Sequence, residues 1–425
     1  MLIAILAGGK GTRFLKYSNT PKLLIKFKNY TLLENIINQC KKYNLNNFYL
    51  FLGFGNERIV KFLKKKKIKV NYFIDKNPLG TGGALKKIEN RKEDSLIIMG
   101  DLLFNINLER FIKFHKSKNA DITLFTHPNS HPHDSDLISV NKNNKVINFF
   151  SKNRKKIIYT KNIATAGIYL MKTKLLKSLK KDSFQDLSKN LIKKLVKRNA
   201  NVFAYQSREY IKDVGTPERY FEAKKDINLN IPNKRNFNNK MPAFFIDRDG
   251  VINKERFNLY SDPCNFFPRT VEAIKKINEM NYLCIIITNQ PAIAKGFVTE
   301  KFVNFTHDKM ETLMGHKGAY IDGIFYCPHY PKKGFKGEIK KYKVNCSCRK
   351  PKIDLIKKAI EEFNVDLKKS YFIGNSLIDY NTAINAGIKP IIVNNNLLSD
   401  EINQKNKFKN LFECINFLIK RKPCA

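Results

Sequence analysis

Leu2-Ile3-Ala4-Ile5-Leu6-Ala7-Gly8-Gly9-Lys10-Gly11-Thr12-Arg13 decides the first half of the fold. The opening run Met1–Leu6 is apolar, far shorter than the roughly 18 residues of a membrane span, and meets Gly8-Gly9 without a basic leader. It reads as the buried first strand of a cytoplasmic protein. Three glycines within four positions let backbone N–H groups close on a polyphosphate where a Cβ would obstruct the approach, although a tight strand-to-helix turn needs glycine on steric grounds alone. The loop lacks the Gly-x-x-x-x-Gly-Lys-Ser/Thr of a Walker motif. Arg13 and the Lys22 of Pro21-Lys22 supply positive charge beside it.

Downstream, strand-like and helix-like stretches alternate through Leu32–Cys40, Phe48–Leu52, Ile59–Leu63, Val70–Ile74 and Leu96–Met99. This is the pattern of an α/β fold, a mostly parallel sheet covered by helices. It lapses in the Asn- and Pro-containing stretch Asn228–Pro242. It restarts at Ala243–Ile246, Leu283–Ile287, Tyr371–Ile373 and Pro390–Val393, with helical segments Val271–Met280 and Asp354–Phe363 between. The expected division is a first domain over 1–228, a linker over 229–242 and a second domain over 243–425. The halves carry different motifs, so neither is a repeat of the other.

The 425 residues, 43% hydrophobic and 27% charged, exclude wholesale disorder. A net charge of +42 invites a nucleic-acid partner, but the lysines run the length of the chain beside Asn and Ile, as a solvated face does. Phosphate-bearing small molecules suit such a surface, and no nucleic acid or membrane partner is expected; the oligomeric state is not legible. Eight cysteines in a chain this long do not make a disulfide framework: Cys40, Cys264, Cys284 and Cys414 are scattered and Cys424 is terminal.

In Phe244-Phe245-Ile246-Asp247-Arg248-Asp249-Gly250 two carboxylates stand two residues apart at the C-terminal end of a strand, where open α/β sheets place their ligands. One can attack phosphorus while the other serves as acid and then base. Cys327-Pro328-His329 and Cys346-Ser347-Cys348 offer three thiolates and an imidazole, the number and softness for a closed tetrahedral zinc, and Tyr330–Asn345 between them is a loop that needs such a clip. The three histidines of His127–Asp136 have ligand chemistry too, but two prolines force an extended path and the stretch reads as a loop.

The opening motif, with Pro21-Lys22, Pro78-Leu79-Gly80-Thr81-Gly82-Gly83-Ala84, Gly100-Asp101, Ala166-Gly167-Ile168-Tyr169 and Asp213-Val214-Gly215-Thr216-Pro217, resembles the sugar-1-phosphate nucleotidyltransferases over residues 1–228. The resemblance implies a Rossmann-like domain with a mixed sheet. It assigns nucleotide contacts to Ala7, Gly8, Gly9, Gly11, Thr12, Gly80, Thr81 and Gly82, sugar contact to Gly167, catalysis to Arg13 and Lys22, and Mg²⁺ to Asp101 and Asp213. Magnesium takes few protein carboxylates and leaves its other positions to phosphate and water. The segment His127–Asp136 resembles a loop of guanylyltransferases that are joined to a phosphatase.

The second half resembles the haloacid dehalogenase superfamily, through Asp247-Arg248-Asp249-Gly250, Thr288-Asn289-Gln290, Arg349-Lys350-Pro351 and Gly374-Asn375-Ser376 with Asp379. That implies a Rossmannoid domain with Asp247 as nucleophile, Asp249 as acid/base, and Thr288 and Lys350 holding phosphoryl oxygens. Asn289, Gln290 and Arg349 would face substrate, with Mg²⁺ among Asp247, Asp249, Asn375 and Asp379. Asn375 departs from the usual aspartate and removes a charge from the metal site. The Zn²⁺ ligands Cys327, His329, Cys346 and Cys348 make this half similar to heptose-1,7-bisphosphate and histidinol phosphatases.

Together the resemblances imply a bifunctional enzyme. One half would remove the 7-phosphate of a heptose 1,7-bisphosphate, and the other would join the resulting 1-phosphate to GMP from GTP. The alternatives are the same pair acting on another sugar phosphate or on histidinol phosphate, and a basic zinc-containing nucleic-acid binder with a degenerate phosphatase fold.

Overall fold

The computed structural model describes residues 1–425 except 10, 16, 153, 155, 255–263, 395–406 and 421–425; the side chains of Thr12 and Leu15 are also outside the description. The chain forms two compact units. The first comprises Met1–His127, Ser135–Lys152 and Ile163–Asn238, and the second Pro128–Asp134, Asn153–Asn162 and Asn239–Ala425.

In the first unit Leu2–Ala7 pairs in parallel with Phe48–Leu52 and Ser95–Met99, and Phe48–Leu52 with Asn71–Ile74. Ala164–Met171 adds antiparallel to Ser95–Met99, so the sheet is mixed, with nine strands among the described residues. Alternation along the first strand splits the core: Ile3 and Ile5 face the helix Leu32–Lys41, and Leu2, Ala4 and Leu6 the side carrying Ala84 and Leu85. That helix starts on a capping box, Thr31 with Glu34. The Asn-rich stretch after Asn228 contains the helix Ile231–Arg235 and belongs to this unit through Asn238. Asn236 bonds Asn105, Asn238 bonds Asn107, and buried Glu209 accepts from the N–H groups of both Asn107 and Phe237. Asparagine here satisfies buried polar groups as well as punctuating the chain.

The second unit is a parallel sheet in the order Gly323–Cys327, Leu283–Asn289, Ala243–Ile246, Tyr371–Gly374, Lys389–Val393, Lys407–Phe408. Numbered along the chain this is the doubly wound order 3-2-1-4-5-6, whose switch point lies between Ala243–Ile246 and Tyr371–Gly374. Strand and helix positions follow the sequence pattern closely, with Thr270–Glu279 and Asp354–Phe363 as helices.

Two excursions from the first half of the chain belong to this unit and lie on the helix Glu300–His316. Thr160 N–H donates to Thr312 at 3.1 Å and Asn162 N–H to Glu311 at 2.8 Å. A Cβ on Gly315 would lie 2.5 Å from Pro132 Cγ, so only glycine admits that proline. His133 stacks on His316; among the described residues no metal cluster includes the histidines of this loop.

Candidate functional sites

In the first unit the glycine-rich loop leaves the C-terminal end of Leu2–Ala7, an interior strand of the sheet. Gly9 has nothing within 4 Å of where a Cβ would stand, whereas Gly11, at φ +62°, packs against the aliphatic stem of Lys22. Gly53, which sequence reasoning missed, lets the end of the neighbouring strand reach the loop: its Cβ would lie 2.5 Å from Gly8 O. Gly100 N–H donates to Leu6 O at 2.8 Å and brings Asp101 beside the loop. A short ladder, Leu102–Asn105 with Tyr210–Asp213, then sets Asp213 opposite Leu102.

The two aspartates therefore lie close together. Burial raises the Asp101 pKa, the neighbouring Asp213 charge raises it further, and Lys22, with Nζ 3.5 Å from Asp101, opposes both. Arg219 donates to Asp213 Oδ2 at 2.6 Å. A Cβ on Gly215 would meet Asp213 Oδ1, Lys22 Nζ and Arg13 within 3.5 Å, so these three groups converge on one bare backbone position. Two hard carboxylates held together by flanking cations fit a divalent ion. Arg219 was not singled out from sequence; its signal was its place one turn after Thr216-Pro217, in a helix capped by Thr216.

Gly80, Thr81 and Gly82 are placed differently from the loop glycines. Gly82 N–H donates to Gln185 O at 2.8 Å, Thr81 Oγ1 accepts from Leu187 N–H at 2.8 Å, and a Cβ on Gly80 would lie 2.4 Å from Gln185 O. These residues seat the segment Gln185–Leu187. Gly167, at φ +76°, lies in the irregular strand Ala164–Met171 against Met99 and Leu102, beside Asp101. Ala7 ends the first strand, and the Thr12 side chain lies outside the described residues.

In the second unit the predicted residues gather at the C-terminal ends of three strands. Lys350 Nζ lies 2.9 Å from Asp247 Oδ1 and 2.6 Å from Asp379 Oδ1, all three buried. Burial pushes the Asp247 pKa up to about 7 against the pull of Lys350, with Asp379 and Asp249 adding to the rise. Burial works in the same direction on Asp249, but the Arg248 guanidinium and the bonds from Asn253 and Gln290 outweigh it and hold Asp249 below its usual range. Thr288, 1% exposed, receives a bond from Gln290 at 3.0 Å. Asn289 bonds both the N–H and the C=O of Lys350, which fixes the lysine's backbone. Arg349 donates to His329 O and lies over Tyr330.

Asp379 and Asn375 divide the work of the last motif. Asp379 Oδ2 accepts from Ser376 Oγ and from two backbone N–H groups in the capping box of the helix Leu377–Asn385, while Oδ1 holds Lys350. The Asn375 amide lies against Gly250, where a Cβ would sit 2.0 Å from its nitrogen. Asp247, Asp249 and Asn375 flank the loop Asp247–Gly250 and carry hard oxygens of the kind that magnesium takes, and both side-chain oxygens of Asp249 are held by Arg248, Asn253 and Gln290.

Cys327, His329, Cys346 and Cys348 bring three sulfurs and Nδ1 to within 4.8 Å of one another, with S···S distances of 3.3–3.5 Å and His329 Nδ1 3.3 Å from Cys348. No disulfide is formed, and the donors are those of a closed tetrahedral metal site.

The Nucleotidyl transferase family model matches residues 3–229. The D-glycero-beta-D-manno-heptose-1,7-bisphosphate 7-phosphatase of Haemophilus ducreyi is 37% identical over 149 residues, 35% of this chain and 79% of that protein. The D-glycero-alpha-D-manno-heptose-1,7-bisphosphate 7-phosphatase of Photorhabdus laumondii is 38% identical over 151 residues, 35% of this chain and 80% of that protein. Among solved structures, HddC from Yersinia pseudotuberculosis is 23% identical, with a TM-score of 0.45 over 53% of this chain and 99% of its own. The chain therefore belongs to the nucleotidyl transferase family through its first half and to the family of heptose-bisphosphate phosphatases through its second.

Proposed function

We propose that the chain performs two consecutive steps in making a nucleotide-activated heptose. The second half removes the 7-phosphate of D-glycero-D-manno-heptose 1,7-bisphosphate. The first half transfers GMP from GTP to the remaining 1-phosphate and releases pyrophosphate. The observation that carries this reading is the pairing of the two families in one chain, since a 1,7-bisphosphate stripped at position 7 is a sugar 1-phosphate, the kind of acceptor a nucleotidyl transferase uses. Guanine rests on the resemblance of His127–Asp136 to the loop of guanylyltransferases joined to phosphatases. That loop's packing on the helix Glu300–His316 suits the fusion.

In the phosphatase, Asp247 attacks phosphorus while Lys350 and Thr288 hold the phosphoryl oxygens. Asp249 gives a proton to the departing sugar oxygen, then takes one from the water that cleaves the aspartyl phosphate. Magnesium at Asp247, Asp249 and Asn375 would neutralise phosphate charge. In the transferase a sugar phosphate oxygen attacks the α-phosphorus, and Arg13 and Lys22 offset the charge that builds there; Asp101 and Asp213 would hold a magnesium that adds to that neutralisation. Zinc at the Cys327 cluster would be structural, clipping the loop next to Arg349. No helix among the described residues is long and apolar enough to cross a membrane. Small-molecule substrates in the cytoplasm, where GTP and reduced thiols are abundant, suit both halves.

The test is mass analysis of products from the purified chain given each anomer of the bisphosphate with each nucleoside triphosphate. A guanosine diphosphate heptose formed with one phosphate and one pyrophosphate supports the reading; a different base or no phosphate release overturns it.

A further inference from the structure

His307 is a buried histidine, 3% exposed, on the helix Glu300–His316, and no step of the phosphatase chemistry above uses it. Its Nε2 lies 3.0 Å from Arg248 Nη1. A guanidinium has only donors, so Nε2 must accept, and the imidazole is the neutral tautomer with its proton on Nδ1. Burial and the adjacent guanidinium both push its pKa well below the usual range, in keeping with that assignment. Arg248 is itself 7% exposed and uses its whole planar fork. Nε donates to Asp249 Oδ1 at 3.1 Å, and Nη2 to Asp249 Oδ2 and to Gln290 Oε1, each at 2.9 Å.

The relay is therefore continuous from the helix to the acid/base. A bidentate grip fixes the plane of a carboxylate only as firmly as the guanidinium itself is fixed, and Nη1 is the arm that reaches His307. Remove its acceptor and a buried N–H is left without a partner, which favours a turn of the fork toward other oxygens.

We infer that His307 is a positioning residue for the phosphatase: by accepting from Arg248 it sets the orientation of the Asp249 carboxyl toward the leaving-group oxygen. This rests on the reading of Asp249 as acid/base. In the step concerned, the Asp247 carboxylate bonds to phosphorus, the bond from phosphorus to the sugar oxygen breaks, and a proton that Asp249 takes from solvent when the phosphate's negative charge binds beside it passes to that oxygen to give the alcohol. An activated ester such as p-nitrophenyl phosphate expels a stable anion and needs no such proton.

The experiment compares kcat/KM of the full chain and its variants on the heptose bisphosphate and on p-nitrophenyl phosphate, because kcat/KM covers events only up to departure of the first leaving group. His307→Phe keeps a ring without an acceptor, and His307→Gln restores an acceptor oxygen. His307→Phe is expected to lose about 100-fold on the sugar phosphate, in the range general-acid catalysis supplies. It should lose less than about 5-fold on the aryl ester, and His307→Gln should recover most of the difference. Circular dichroism and thermal melting of each variant report that its second half is folded, and His307→Ala serves if the Phe variant is not recovered. Equal losses on both substrates, or a sugar-phosphate rate equal to the parent's, would overturn the inference while leaving the phosphatase reading intact. A parent chain that hydrolyses neither substrate would overturn the phosphatase reading, and the inference with it.

Discussion

Lys350 Nζ stands 2.9 Å from Asp247 Oδ1, and the same ammonium is 2.6 Å from Asp379, so one buried cation serves both the nucleophile and the residue that caps the next helix. Replacing Lys350 with Met leaves two buried carboxylates without their counter-charge, a defect that typically costs ~3 kcal/mol or more. Phosphate release should fall by at least about 100-fold, since Asp247 loses the group that favours its ionised form. Nucleotidyl transfer from a supplied sugar 1-phosphate should persist. Urea denaturation followed in parallel with both assays checks this.

Asn375 can now be separated from Asp379. Both oxygens of Asp379 are engaged, by Lys350 on one side and by Ser376 and the turn amides on the other. Asn375→Asp would add a full charge beside Gly250 and is expected to lower the magnesium concentration for half-maximal phosphate release several-fold, leaving the transferase unchanged. Overlaid magnesium titrations of parent and variant would show instead that position 375 does not contact the ion.

Glu311 makes stability depend on pH. Burial pushes its pKa up to about 7 from an ordinary 4.5, partly opposed by Lys161 and the Asn162 N–H. Between those values the folded chain holds a proton that the unfolded chain has released. The stabilisation is therefore complete below the unfolded value and is lost as pH rises through about 7. Glu311→Gln keeps an acceptor for Asn162 and should remove this dependence, worth about 3 kcal/mol across the window. Thermal melts of parent and variant at pH 5 and pH 8 measure it.

Three thiolates and one imidazole should bind one zinc per chain. Metal analysis of the purified protein, then chelation, should show loss of that zinc together with a lower melting temperature. Cys346→Ser should mimic chelation, by removing one of the four donors.

Much of this was legible in the residues themselves. The motifs Leu2–Arg13 and Asp247–Gly250 sit after strands because alternating or continuous burial demands a strand there, and the loop chemistry follows at its end. Groups whose roles arise from packing were not. The close approaches of Gly53 to Gly8 and of Gly80 to Gln185 come from distant segments that no local pattern reveals. His307 looks like any helical histidine until Arg248, 59 residues earlier, is folded against it. The Asn-rich stretch after Asn228 read as a spacer because asparagine favours turns, while here its amides bond buried partners on the first unit. The attachment of 128–134 and 153–162 to the second unit depends on long-range contacts such as Pro132 with Gly315.

Two independent active sites acting in series can be told apart by product analysis of two variants, Asp247→Asn and Asp101→Ala, alongside the parent. The parent given heptose 1,7-bisphosphate and GTP should yield phosphate, pyrophosphate and guanosine diphosphate heptose. Asp247→Asn should release no phosphate yet still convert supplied heptose 1-phosphate; Asp101→Ala should release phosphate and accumulate the 1-phosphate. Loss of both reactions from either folded variant would contradict the account.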